Sequence, residues 1–66
     1  MVVRLSRRQK QVLYASTFGL GYKEIAHHLG IATKSVERHA ALAMDKLQAK
    51  NRTHAIAILF RARIFK

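Results

Sequence analysis

Hydrophobic residues recur along this chain at intervals of three and four residues, which places them on one side of a helix. The clearest case lies between Thr33 and Leu47, where one side holds Val36, Ala40, Ala43 and Leu47. The opposite side holds Lys34, Glu37, Arg38, Ala41, Asp45 and Gln48. This pattern predicts a helix from Thr33 or Lys34 to Leu47, with a close-packing inner face and an open outer face.

A first helix is predicted near the start of the chain. Ser6, followed three residues later by Gln9, forms a capping box that begins this helix near Arg7. We expect Gly19 to end it, and its inward stripe contains Val12 and Leu13. The preceding residues 1–5 form a short basic arm.

A second helix begins after Gly21, with Glu24 in the capping-box position. Its buried side consists of Ile25, Ala26 and Leu29. Gly30 can take the left-handed conformation that closes a helix, and Ile31 then folds back as an apolar anchor. Two helices joined by such a tight turn predict a helix-turn-helix over about residues 21–47, whose second helix lies in the DNA major groove.

A fourth helix is predicted over residues 53–64, with Thr53 as its N-cap. It is apolar nearly all round. One side consists of Ala55, Ile58, Leu59 and Ala62, and another consists of Ile56, Phe60 and Ile64. A body of three helices can cover only one of these sides, so the surplus predicts a homodimer interface through Ile56, Phe60 and Ile64.

Composition sets the class of partner. The 66 residues suffice for one small domain, 1–66, and carry 13 Lys and Arg against three acidic residues, a formal net charge of +10. Such an imbalance attracts polyanions, so the expected partner is nucleic acid or an acidic membrane. Half of the residues are hydrophobic, which excludes a disordered basic tail. No apolar run approaches the ~18 residues that span a bilayer, and there is no cysteine, so we expect a soluble, cytoplasmic protein without disulfides.

The residue pattern does not predict catalysis, a metal or a cofactor. His27 and His28 are adjacent, so they point in different directions on a helix, and no histidine pair has the i, i+4 spacing of a zinc site. No Ser-His-Asp set, paired carboxylates or glycine-rich phosphate loop has a plausible spacing. We therefore expect no enzyme activity.

Several short motifs follow one another in an order that resembles a known family. They are Leu5-Ser-Arg-Arg, Val12-Leu13, Gly19-Leu20, Lys23-Glu-Ile-Ala26, Leu29-Gly-Ile31, Ser35-Val36, His39, Lys46-Leu47 and Asn51-Arg-Thr53. Across essentially the whole chain this resembles the LuxR/GerE-type helix-turn-helix domain of bacterial LuxR and NarL/FixJ regulators. The resemblance implies an all-α fold of four helices, in which helices two and three read DNA and helix four mediates dimerisation.

The resemblance also implies roles for individual residues. Phosphate contacts fall to Lys23, Thr33, Ser35, His39 and Lys46, and the positions that face bases are Glu37, Arg38 and Ala41. From its place on the outward side of the third helix, Lys34 is added to the candidate base-reading set. Lys34 is a phosphate candidate as well. Arg52 either supports the fold or touches the DNA backbone. Arg38 suits the bidentate contact that guanine O6 and N7 accept, and the alternatives for it are a phosphate contact or a solvated side chain. Glu37 either accepts from cytosine N4, or repels phosphates and tunes Arg38.

The chain departs from the family pattern at several positions. The family has Glu at the positions of Gln9 and Gln11, so we expect an internal acidic contact to be missing. Ala32 replaces the usual Ser cap, for which Thr33 would substitute. Gln48 replaces a Gly and predicts a less sharp end to the third helix. Leu42 replaces an Asn and adds an apolar contact, and Glu37 stands where a basic residue is common.

The leading hypothesis is a sequence-specific, dimeric transcription regulator that binds double-stranded DNA. The alternative is an adaptor that engages RNA polymerase or a larger regulator through the apolar fourth helix and Leu42. A cationic membrane-active peptide fits the charge but not the caps and the glycine turn. The cluster Arg4, Arg7, Arg8 and Lys10 is predicted to sit apart from the reading helix. Met1 and the basic arm favour a small regulator over an excised effector domain.

Overall fold

The computed structural model describes residues 4–62, which form four helices and no strand. Helix α1 spans Arg7–Ser16, α2 spans Tyr22–Leu29, α3 spans Thr33–Leu47 and α4 spans Arg52–Arg61. The predicted all-α architecture is therefore confirmed. Residues 1–3 of the predicted arm and the predicted interface residue Ile64 lie outside the described residues.

The start of α1 follows its capping box. Ser6 Oγ accepts from the backbone N–H of Gln9 at 3.1 Å, and Gln9 Oε1 accepts from the N–H of Ser6 at 2.9 Å. The other end differs from the prediction. The helix ends at Ser16, because a series of i to i−3 bonds carries the chain through a turn as far as Gly19. Gly19 then redirects the chain with a φ of +78°.

The turn between α2 and α3 has the predicted form. Glu24 Oε1 accepts from the N–H of Gly21 at 3.1 Å at the start of α2. At the other end Gly30 has a φ of +67°, and the N–H of Ile31 reaches back to the carbonyl of Ala26 at 3.1 Å. This Schellman arrangement satisfies the last carbonyls of α2 and fixes where α3 begins.

Both ends of α3 correct the sequence-based expectations. Ala32 holds the N-cap position without any side-chain bond, and Thr33 is the first helical residue, so the prediction that Thr33 substitutes as cap is wrong. The helix also ends sharply. Gln48 takes the left-handed conformation with a φ of +55°, and Ala49 N–H donates to Met44 O at 2.9 Å. The Gln48 amide adds a 3.0 Å bond to the carbonyl of Asp45, which helps to hold this conformation.

The N-cap of α4 is Asn51 and not Thr53. Asn51 Oδ1 accepts from the N–H of His54 at 2.8 Å, and the helix begins at Arg52. Asn is among the strongest N-cap residues, and here its backbone is extended, as a cap requires. A second bond, from the N–H of Lys50 to His54 Nδ1 at 3.0 Å, closes the loop between α3 and α4.

Two apolar clusters form the core. One joins α1, α3 and α4 and consists of Leu13, Ala43, Leu47, Ala55 and Leu59. The other joins α1, α2 and α3 and consists of Val12, Ile25, Ala26, Val36 and Ala40. Met44 packs against both clusters. The predicted inner faces of α1, α2 and α3 are thus buried, and α3 is the central helix.

Candidate nucleic-acid interface

The outer face of α3 is a continuous exposed stripe of mostly polar residues. On its inner side Val36, Ala40 and Ala43 are fully buried and Leu47 is 8% exposed. Because these side chains are small, α3 lies against α1 and α2 while its outer half extends into solvent. The residues predicted to be outward are all exposed: Lys34, Glu37, Arg38, Ala41, Asp45 and Gln48.

The candidate base-reading residues come together in the first half of α3. Lys34, Arg38 and Ala41 are separated by four and three positions, so they line one face, and Glu37 stands beside them. The small side chain of Ala41 leaves room for a groove to approach the helix backbone. This geometry is what a recognition helix requires at the edges of bases.

The candidate phosphate contacts lie around that face. Thr33, Ser35 and His39 are half-buried along its edges, and Lys23 is exposed in the first turn of α2. Positively charged and hydroxyl-bearing side chains at the borders of a recognition helix are placed to bond phosphate oxygens.

Lys46 lies at the end of α3 and bonds to the start of the chain. Its Nζ donates to Gln9 Oε1 at 3.0 Å and to the backbone carbonyl of Arg4 at 3.3 Å. The sequence predicts that Gln9 lacks an acidic contact, and the acceptor that it presents to Lys46 is a neutral amide oxygen. The spacing of 37 residues between the two partners gave no sequence signal for this pairing.

Arg52 is directed into the fold. Its Nη1 donates to the carbonyl of Leu20 at 3.4 Å, and its guanidinium carbon lies 4.6 Å from the ring centroid of Tyr22. Of the two roles left open for this residue, the described contacts are those of fold support. The sequence pattern did not predict Tyr22 and Leu20 as the contacts of Arg52.

The basic cluster at the start of α1 is divided. Arg4 reaches the end of α3 through its carbonyl bond with Lys46, so this part does not sit apart from the reading helix. Arg8 instead bonds through Nη1 to Gln11 Oε1 at 3.2 Å. An open groove of about 340 Å³ is lined by Arg7, Arg8 and Gln11.

The structure also places the histidines, as candidate metal ligands, and the helices, as candidate membrane spans. His27 and His28 are exposed with ring centroids 6.3 Å apart, and within residues 4–62 no three His, Asp or Glu side chains gather as metal ligands would. In the same described range, none of the helices has both the length and the apolar character needed to cross a membrane.

Comparisons with known proteins agree with this architecture. The family model described as bacterial regulatory proteins, luxR family, matches residues 3–59. The chain is 44% identical over 52 residues to the transcriptional regulatory protein FixJ of Rhizobium meliloti, which covers 79% of this chain and 26% of the relative. It is 39% identical over 61 residues to the transcriptional activator protein BjaR1 of Bradyrhizobium diazoefficiens, covering 92% of this chain and 25% of the relative.

A third relative has a similar level of identity. The transcriptional regulatory protein DesR of Bacillus subtilis is 38% identical over 52 residues, which cover 79% of this chain and 26% of DesR. The chain thus spans about a quarter of the length of these curated relatives. The family is one of regulatory proteins and not of enzymes, and it supports DNA-binding transcription regulation. With its four helices and a family model matched over residues 3–59, this chain belongs to the luxR family of bacterial regulatory proteins.

Proposed function

We propose that this domain binds double-stranded DNA sequence-specifically, with α3 in the major groove, and regulates transcription in the bacterial cytoplasm. The observation that carries the proposal is the two-sided construction of α3. Small buried residues hold one side against the fold, while Lys34 and Arg38 extend from the other. A helix supported in this way can enter a groove without unfolding any part of the domain.

The contacts divide into two kinds. Arg38 reads a guanine through O6 and N7, and Lys34, Glu37 and Ala41 complete the base-facing surface. Lys23, Thr33, Ser35, His39 and Lys46 bond phosphates and set the register of α3 on the duplex. The net charge of +10 adds a sequence-independent attraction to the same partner.

We further propose that the domain acts as a homodimer through α4. Ala55 and Leu59 fill the core from one side of this helix, whereas Ile56 is half-buried and Phe60 is 45% exposed. Burial of these side chains against a second α4 would remove apolar surface from water. The two recognition helices would then meet half-sites about one helical turn apart, roughly 34–36 Å.

Selection of bound sequences from a random duplex pool tests this function. We expect enrichment of a near-palindromic site, because a two-fold dimer reads the same half-site twice. If the protein binds no duplex at moderate salt, the DNA-binding function is wrong. Enrichment of a single half-site without symmetry would retain DNA binding and contradict the dimer.

An adaptor that engages RNA polymerase or a larger regulator is the second candidate. Leu42 on α3 and Phe60 on α4 favour it, since they are 44% and 45% exposed and offer apolar anchors for a protein partner. A gel shift on random duplex separates the two functions, because an adaptor need not bind DNA by itself.

A further inference from the structure

Gln9 is the one buried polar residue within residues 4–62, with 5% of its surface exposed. It lies where the start of α1 meets the end of α3. Its Oε1 accepts two bonds, from Lys46 Nζ at 3.0 Å and from the backbone N–H of Ser6 at 2.9 Å. A buried amide oxygen with two donors is well satisfied and holds both of them in place.

The partners of Lys46 are electrically neutral. Its Nζ donates to an amide oxygen of Gln9 and to the carbonyl oxygen of Arg4. An ammonium group has three N–H donors, and the bonds to Gln9 and Arg4 use two of them. Neither partner cancels the positive charge.

The acidic residue nearest in sequence is Asp45, which does not face Lys46 along the helix. Consecutive residues point in directions about 100° apart, and only positions three or four apart are side-by-side neighbours. Asp45 is exposed on the outer face of α3, whereas Lys46 is turned towards Gln9. The two hydrogen bonds therefore direct the Lys46 ammonium towards the start of α1, at the border of the proposed DNA interface.

We propose that Gln9 is a positioning residue for DNA binding: it orients the Lys46 ammonium towards a phosphate of the duplex without neutralising it. This inference rests on the DNA-binding function proposed above. A carboxylate at the same position would hold Lys46 equally well but would compete with the phosphate for its charge. The neutral amide of Gln9 orients the Lys46 ammonium and leaves its full positive charge for the phosphate. Contact with the phosphate then releases the counterions bound to the DNA.

The chain offers a matched pair of substitutions that tests this role. Gln9→Glu and Gln11→Glu make the same chemical change on the same helix, and each lowers the net charge by one. Gln11, however, bonds Arg8 and not Lys46. General electrostatics therefore affect both variants alike, and only the first places a carboxylate beside Lys46.

The readout is the dependence of DNA affinity on salt concentration, measured by fluorescence anisotropy on a selected or random duplex. We expect Gln9→Glu to lower the slope of log affinity against log salt by about 0.9, the contribution of one phosphate contact. Affinity near physiological salt should fall about three- to tenfold. Gln11→Glu should change the slope by much less.

A second comparison keeps the test valid if Gln9→Glu alters the fold. Lys46→Met keeps an unbranched side chain of nearly the same length and removes its charge, so it should lower the slope by a similar amount. Adding Gln9→Glu to Lys46→Met should then produce no further loss, because the two changes act on one contact. Circular dichroism melting of each variant shows whether the helices persist.

The outcomes separate the inference from the function on which it rests. If the wild-type domain binds no duplex, the proposed function fails. If the wild type binds and the two Gln→Glu variants share one slope, the function stands and the role of Gln9 is overturned. Additive losses in the double variant would equally contradict it.

Discussion

The guanidinium of Arg52 lies 4.6 Å from the ring centroid of Tyr22, a cation–π contact between the first residues of α4 and α2. A bond from Nη1 to the carbonyl of Leu20 extends the same link. These two contacts join the start of α4 to the entry of the helix-turn-helix.

Replacing Arg52 with Ala should lower the free energy of unfolding by about 1–2 kcal/mol, from the lost cation–π contact and hydrogen bond. The salt dependence of DNA binding should change little. Chemical denaturation and anisotropy titrations measure the two effects, with the exposed Arg61→Ala in the same helix as control. A fall in salt slope of about one without loss of stability would show that Arg52 contacts phosphate instead.

Replacing Arg38 with Ala should weaken binding to the selected site by about 1–3 kcal/mol and relax preference at a single base pair. The reason is the loss of a bidentate guanidinium contact with guanine. Competition with duplexes that carry each single base-pair change identifies the position. Equal weakening on selected and random duplexes would reduce Arg38 to a phosphate contact.

Replacing Lys23 with Ala should weaken binding to all duplexes alike and reduce the salt slope by about one unit. Lys23 is exposed in the first turn of α2, beside the α3 surface, so its loss removes charge and no packing. Lys10→Ala provides the control, because Lys10 is equally exposed on α1. Identical slopes for these two variants would remove Lys23 from the interface.

Replacing Gln48 with Gly should stabilise the domain by about 0.5–1 kcal/mol. A left-handed residue with a side chain costs about 1–2 kcal/mol, which Gly avoids, while the exposed bond to the Asp45 carbonyl is lost. Thermal melting should show a rise of about 3–6 °C. Gln48→Ala keeps the strain and loses the bond, so its melting temperature should fall; a rise there would contradict the argument.

Replacing Phe60 with Ser should weaken dimerisation while leaving the monomer folded, since Phe60 is 45% exposed on α4. Sedimentation equilibrium measures the association, and circular dichroism checks the helices. Phe18→Ser is the control, because Phe18 is 68% exposed in the turn after α1. A wild-type chain that stays monomeric on DNA would remove the basis of this prediction.

Periodicity predicted the buried faces well, because burial depends on spacing within a helix. Val36, Ala40, Ala43 and Leu47 needed no knowledge of their partners to be placed inside. The same holds for the turn at Gly30, where the local residue preference and the observed φ agree.

The details that sequence missed depend on competition between neighbours or on distant partners. Asn51 and Thr53 both suit an N-cap, and only the backbone of the loop decided between them. Gln48 takes a conformation that Gly favours, because the Schellman bonds and its own amide offset the cost. The Gln9–Lys46 pair is 37 positions apart in the sequence. The Arg52–Tyr22 pair is 30 positions apart, since 52 − 22 = 30, and no local sequence pattern predicts contacts at these separations.

Met44 contacts both halves of the core, and its unbranched thioether can adjust to small shifts on either side. The residues behind the reading unit and those behind α4 otherwise belong to separate clusters. Substitutions in α4 can therefore be accommodated in part at Met44, while the Arg52–Tyr22 contact still ties the start of α4 to α2. We expect the outer face of α3 and the apolar side of α4 to tolerate substitutions independently wherever only Met44 lies between them.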